Sequence, residues 1–146
     1  MLLIRDDHIL LAMKKRGFGA GKWNGVGGKP EGDETIDQTA LRECSEEIDV
    51  SPIDIKHVAT LDFYFASGKS DWDQQVSVYL CKKWQGEPTE TEEMKPKWFN
   101  VADIPYESMW QDDKYWLPEV FAGKTVEAQF TFDDNDNLLR HNLTTK

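Results

Sequence analysis

The sequence predicts a fold of the α/β or α+β class. Two observations carry this expectation. Runs rich in β-branched and aromatic residues recur along the chain, and a capped, one-sided helix is interspersed among them. The chain has 146 residues, 39 % hydrophobic and 12 % aromatic, enough for one domain with a proper core, so 1–146 is read as a single domain.

Residues 2–4 and 9–11 predict a hairpin around Arg5-Asp6-Asp7. Residues 14–21 form a basic, glycine-rich loop, and 23–26 a short strand before Gly27-Gly28-Lys29-Pro30. Thr35 with Gln38 fits a capping box, and Asp37 suits a first turn. The helix runs to about Ile48, with Pro52 opposing further extension. Strands are predicted over 55–65, 74–84 and 97–100. Residues 109–122 read as partly helical, broken near Pro118, and 126–132 and 138–143 as strands flanking a turn at 133–137.

The bulk numbers exclude several classes. A formal net charge of −10 opposes a general nucleic-acid binder, which needs a basic stripe. No apolar run approaches the roughly 18–20 residues of a membrane span, and the N-terminal apolar stretch is too short for a signal peptide. Cys44 and Cys81 do not make a secreted disulfide framework, so a cytoplasmic setting is expected. A monomer acting on a small molecule is the simplest arrangement.

The chemistry lies in the spacing of Gly28, Glu34, Arg42, Glu43, Glu46 and Glu47, which is G-x5-E-x7-R-E-x-x-E-E. At average residue frequencies this pattern arises in such a chain with a probability on the order of 10⁻⁵. Each helical residue turns about 100°, so Glu43, Glu46 and Glu47 share one face, while Ala40, Leu41, Cys44 and Ile48 lie on a neighbouring arc that can face the core. Like charges at i and i+4 destabilise a helix, and a cation relieves them. Oxygen-only ligation selects hard ions, Mg²⁺ first and Mn²⁺ as the alternative, and such ions hold phosphates. Arg42 is placed for an i+4 ion pair with Glu46.

From Gly28 to Val50 the chain resembles the box of the Nudix hydrolase family, G-x5-E-x7-R-E-U-x-E-E-x-G-U with U apolar. Cys44 takes the first apolar position, and Asp49 stands where the pattern has glycine, a residue type that tolerates left-handed backbone. Residues 13–25, 92–99 and 109–116 are further similar to the animal MutT homologues that sanitise oxidised purine nucleoside triphosphates. The resemblance covers most of the chain. It implies the Nudix fold, a mixed β-sheet sandwiched between α-helices. It also implies Mg²⁺-dependent hydrolysis of nucleotides of the 8-oxo-dGTP and 2-hydroxy-dATP type to the monophosphate and pyrophosphate.

Residue by residue, the resemblance implies a metal site of Glu43, Glu46 and Glu47 with the Gly28 carbonyl and Glu93 from outside the box. Arg42 orients the glutamates. The base site comprises Asn24, Trp110, Asp112 and Asp113, walled by Phe63 and Phe65, with Lys14 and Phe18 helping to close it. Trp110 offers an aromatic face for purine stacking. Of two adjacent carboxyls one is driven to protonate, and a protonated Asp donates where an ionised one accepts. The Asp112–Asp113 pair can therefore read both oxidised guanine and oxidised adenine. Gln74 aligns with a methionine of the family's pocket, and a hydroxyl residue of the family's first strand has no counterpart.

The rival readings are a Nudix hydrolase for another modified nucleotide, such as O6-methyl-dGTP, and a Nudix-fold binding module without catalysis. The complete glutamate set opposes the second. Gly68-Lys69-Ser70 fails as a P-loop because Phe63 stands at the required first glycine. The 133–144 segment fails as an EF-hand because Leu138 and Thr144 replace the required Gly and Glu.

Overall fold

A computed structural model describes residues 1–17, 19–66 and 73–146. Phe18 and the Gly68-Lys69-Ser70 segment lie outside the described residues. The chain packs as two compact units, Met1–Lys56 with Tyr79–Trp110, and His57–Val78 with Gln111–Lys146.

The first unit is built around β2 (His8–Lys14). Ile9, Leu10, Leu11 and Ala12 are buried in succession, as in a strand covered on both faces. β1 (Leu2–Arg5) pairs antiparallel with it, as does β6 (Met94–Asn100). Leu10 is partnered by both Leu3 and Trp98, so these two strands lie on opposite edges of β2. The short β3 (Trp23–Asn24) extends the β1 edge, opposite Ala12 and Met13. β1 also pairs parallel with β5 (Gln74–Gln85) through Leu2↔Leu80 and Leu3↔Cys81. β3 is shorter than the predicted 23–26 because Val26 turns into the core. β6 begins before the predicted 97 and includes Pro96, which an edge strand accepts because its missing N–H costs no ladder bond on the free side.

The box helix α1 (Ile36–Ile48) begins on the expected cap. Gln38 N donates to Thr35 Oγ1 at 3.2 Å, and Thr35 N donates to Gln38 Oε1 at 3.0 Å. It ends on Asp49 at φ 62°, ψ 39°, so the residue replacing the box glycine adopts the left-handed conformation that the pattern requires. Cys44 and Ile48 pack on Leu3, Leu10, Val26, Val50, Cys81 and Met94. Leu41 corrects the sequence reading: it is 36 % exposed, whereas Glu47 is 4 % exposed. At 100° per residue the two lie about 60° to either side of Cys44. The helix is therefore rolled so that a carboxylate, not a leucine, is turned inward.

β4 (Ser51–Phe65) starts in the first unit, four residues before the predicted 55, with Pro52 accepted at the strand's start. In the second unit it pairs parallel with β7 (Val126–Phe132), from Ala59↔Val126 to Phe65↔Phe132. β7 alternates in period two, burying Val126, Ala128, Phe130 and Phe132. β8 (Leu138–Thr145) returns antiparallel, two residues longer than predicted. The predicted turn is present, with Asp133 Oδ1 accepting from Asn135 N at 2.8 Å and Asn137 N at 2.9 Å. α2 (Asp113–Phe121) runs through Pro118, where a break was predicted. Buried Trp116, Leu117 and Val120 anchor both sides of the proline, and the bond Ala122 N to Pro118 O at 3.0 Å closes the next turn. The sheet is mixed, with one α-helix in each unit among the described residues. No helix there is long and apolar enough to cross a membrane.

Candidate active site

The acidic ridge lies within the first unit. Arg42 organises its outer part. Nη1 donates to Glu43 Oε1 and Glu46 Oε2, both at 2.9 Å, so the expected i+4 pair is present. Nε donates to Glu34 Oε2 at 2.6 Å, and Nη2 donates to Glu34 Oε1 at 3.0 Å and to Lys29 O at 3.1 Å. Thr39, buried at 4 % exposure, donates from Oγ1 to Glu34 Oε1 at 2.9 Å. These bonds hold the Glu34 carboxyl down at about 2, the Arg42 hydrogen bond acting most strongly.

The inner part is Glu47. Burial pushes its carboxyl up to about 8; the Glu43 charge and a hydrogen bond with Glu43 push the same way, and the Glu93 charge adds to them. Gly27 N–H opposes, donating to Oε1 at 3.1 Å. Gly28 leaves room for Glu43: a Cβ at this glycine would lie 2.5 Å from both Cδ and Oε1 of that carboxylate. Glu93 is carried on an exposed loop whose carbonyl accepts from Lys15 N at 2.9 Å.

These residues fit a hard divalent cation. The donors are all oxygens, and the innermost is a buried carboxyl that ionises against its surroundings until a positive charge meets it. No three His, Cys, Asp or Glu side chains converge as a ligand group among the described residues. Arg42 engages Glu43 and Glu46 instead.

The residues that the sequence assigns to base binding fall in both units. In the first unit, Lys14 ends β2, half-buried. Exposed Asn24 turns its Oδ1 back to accept from Gly25 N at 2.8 Å. Trp110 carries Lys22 Nζ 5.3 Å from its ring centroid, and Gly19 approaches so closely that a Cβ would sit 3.4 Å from Nε1. In the second unit, Phe65 is 8 % exposed and stacks on Phe132 at 5.6 Å, while Phe63 stacks on Phe130 at 5.8 Å. Asp112 and Asp113 are 2 % and 4 % exposed, and Trp116 Nε1 donates to both, to Asp112 Oδ2 at 3.0 Å and Asp113 Oδ1 at 3.1 Å. Burial pushes Asp112 up to about 6. Asp113 is pushed well above the ordinary range by burial and then by Asp112, and its Oδ2 is buried without a hydrogen-bond partner.

Residues 1–120 match the NUDIX domain. The chain belongs to the NUDIX family. It is 40 % identical over 143 residues to the oxidized purine nucleoside triphosphate hydrolase of Mus musculus, covering 98 % of this chain and 90 % of that protein. It is 38 % identical over 143 residues to the protein of the same name from Danio rerio, with the same coverage. A crystal structure of a MutT protein from Bacillus halodurans superposes with a TM-score of 0.85 at 23 % identity, covering 97 % of this chain and 93 % of that one, and this likeness speaks for the Nudix fold. Nudix hydrolases generally use divalent metal ions, in keeping with the donor set of the ridge.

Three parts of this Nudix site were not found in the sequence. In the sequence Glu34 stands only as a pattern position, with no role of its own beside the orienting Arg42. Thr39 and Gly27 gave no signal of their own: the first acts through a helix-turn hydroxyl and the second through a backbone N–H.

Proposed function

We propose that this Nudix hydrolase cleaves oxidised purine nucleoside triphosphates to the nucleoside monophosphate and pyrophosphate, with Mg²⁺ as the activating ion. The observation that carries the reading is the inward-turned Glu47 with Glu43 hydrogen-bonded against it, in a chain so similar to hydrolases of that name. Glu43, Glu46, Glu47, Glu93 and the Gly28 carbonyl would hold the metal, which when bound neutralises phosphate charge and acidifies water.

The chain's own groups do the rest. Arg42 fixes the rotamers of Glu43 and Glu46 from outside the ridge. A ridge carboxylate or Glu93 takes the proton of the attacking water, which needs hydrogen-bond reach and a nearby basic oxygen. Attack at the β phosphorus puts the water oxygen into pyrophosphate. Hydrolysis in heavy-oxygen water tests this step, and label in the monophosphate contradicts it.

Asp112 and Asp113 supply base recognition. A coupled pair that holds one proton presents a donor and an acceptor, and moving that proton changes which purine edge it fits. The buried, unpartnered Asp113 Oδ2 supports this role, because a polar atom in that state costs stability unless a ligand meets it. Trp110 supplies a stacking face, and Asn24 and Lys14 supply polar contacts.

The deciding experiment compares kcat/KM for 8-oxo-dGTP, 2-hydroxy-dATP, O6-methyl-dGTP and dGTP. The proposal expects both oxidised purines to lead. A preference for dGTP contradicts the sanitising role and leaves the hydrolase assignment standing.

A further inference from the structure

One loop caps the end of the box helix and also carries the glutamate from outside the box. A Cβ on Gly86 would come within 2.8 Å of Asp49 O, so the loop passes against that carbonyl. Thr89 N donates to Ile48 O at 2.9 Å. Thr91 Oγ1 donates to Glu47 O at 2.8 Å. Carbonyls at a helix C-terminus lack intrahelical partners, and here one loop approaches three in succession.

Thr91 reaches further than the other two. Its Oγ1 also accepts from Glu93 N and Met94 N, both at 3.3 Å. Its own N donates to Met94 O at 3.0 Å, and its O accepts from Lys15 Nζ at 2.6 Å. Lys15 N in turn donates to Glu93 O at 2.9 Å. The Glu93 backbone is thus held through both its N–H and its C=O, and one hydroxyl links it to the backbone of Glu47.

We propose that Thr91 is a positioning residue for hydrolysis: its hydroxyl sets Glu93 against Glu47 and so fixes the spacing between the loop carboxylate and the helix ridge. This rests on the reading above in which Glu93 and Glu47 act on the same metal and water. A hydroxyl suits the task because it donates once and accepts twice. Valine has the same shape and can do neither. A cap that served only to end the helix would affect stability alone.

The test uses the full chain with 8-oxo-dGTP and a MgCl₂ titration. Thr91→Val, Thr91→Ala and Thr91→Ser are made alone, and Thr91→Val also on a Glu93→Gln background. The folded valine and alanine variants are expected to lose about tenfold in kcat and to need severalfold more Mg²⁺ for half-maximal rate, with KM for the nucleotide little changed. Serine restores the wild-type values. On the Glu93→Gln background the valine change costs little more, because both substitutions remove one arrangement.

Normal kcat and normal Mg²⁺ demand in Thr91→Val overturn the proposal. So does an undiminished further loss on the Glu93→Gln background. Failure of both valine and alanine variants to fold assigns the hydroxyl to stability and overturns it as well. An inactive wild-type chain instead removes the hydrolase reading on which Thr91's role depends.

Discussion

Arg42 grips Glu34 through a two-pronged bond, Nε to Oε2 at 2.6 Å and Nη2 to Oε1 at 3.0 Å. Only a guanidinium presents two parallel donors to one carboxylate. The grip leaves Nη1 free to serve Glu43 and Glu46 together. Arg42→Lys keeps the charge and loses the fork. It is expected to cut turnover by at least about tenfold, with KM less affected, because the glutamate rotamers loosen. Steady-state kinetics beside a thermal melt checks this, and an unchanged kcat contradicts it. The Glu34 carboxyl is lowered from 4.5 to about 2, so the stability it adds is present above its unfolded value and is lost as pH falls through about 2.

Gly28→Ala separates fold from activity. The atoms nearest the new methyl are those of the Glu43 carboxyl, from 2.5 Å away, and that flexible end can swing aside. The melting temperature should therefore stay within a few degrees of wild type, while kcat falls by about tenfold or more through the displaced carboxylate. Equal activity in the alanine variant means that Glu43 works from another position.

The buried aspartates give a pH signature. Asp112 titrates at about 6 instead of 3.8 because burial disfavours its charge, so the folded state holds its proton more tightly than the unfolded chain does. The corresponding stability is full below pH 3.8 and is lost as pH rises through about 6, and the raised Asp113 carboxyl acts in the same direction. Asp112→Asn is expected to gain in melting temperature relative to wild type as pH rises across that window, by several degrees. A difference that stays flat from pH 4 to 7 speaks against a buried, tightly coupled pair.

Trp116→Phe removes the single N–H that both aspartates share. With Oδ2 of Asp113 already unpartnered, each carboxyl then loses its indole donor as well. The substitution should destabilise the fold by roughly 1–3 kcal/mol, measured by urea unfolding, and push both carboxyls further towards the protonated form. The pH profiles for the two oxidised bases then move to higher pH. Unmoved profiles place base recognition elsewhere.

The sequence disclosed most where chemistry imposes spacing. The capping box at Thr35, the left-handed Asp49 and the Arg42–Glu46 pair were all legible because each depends on a fixed local offset. The roll of α1 was not. Leu41 and Glu47 are equally placed about Cys44, and only tertiary packing decides which one goes inside. Pro118 misled for a related reason. Buried flanking residues hold the helix on both sides of it, and that context is not local. Thr91 lies far from the ridge in sequence and bears no motif, so the bond to Glu47 O appears only once the chain is folded.

Glu43→Gln is the most direct test of the acidic ridge. The substitution keeps the side chain's shape and removes its charge from the partner of Glu47. Pyrophosphate release from 8-oxo-dGTP is followed over a MgCl₂ titration, with a thermal melt of the same preparation. The expected result is an intact fold with turnover down by about a hundredfold or more at every Mg²⁺ concentration. A folded variant that turns over at nearly the wild-type rate contradicts the claim that these carboxylates carry the reaction.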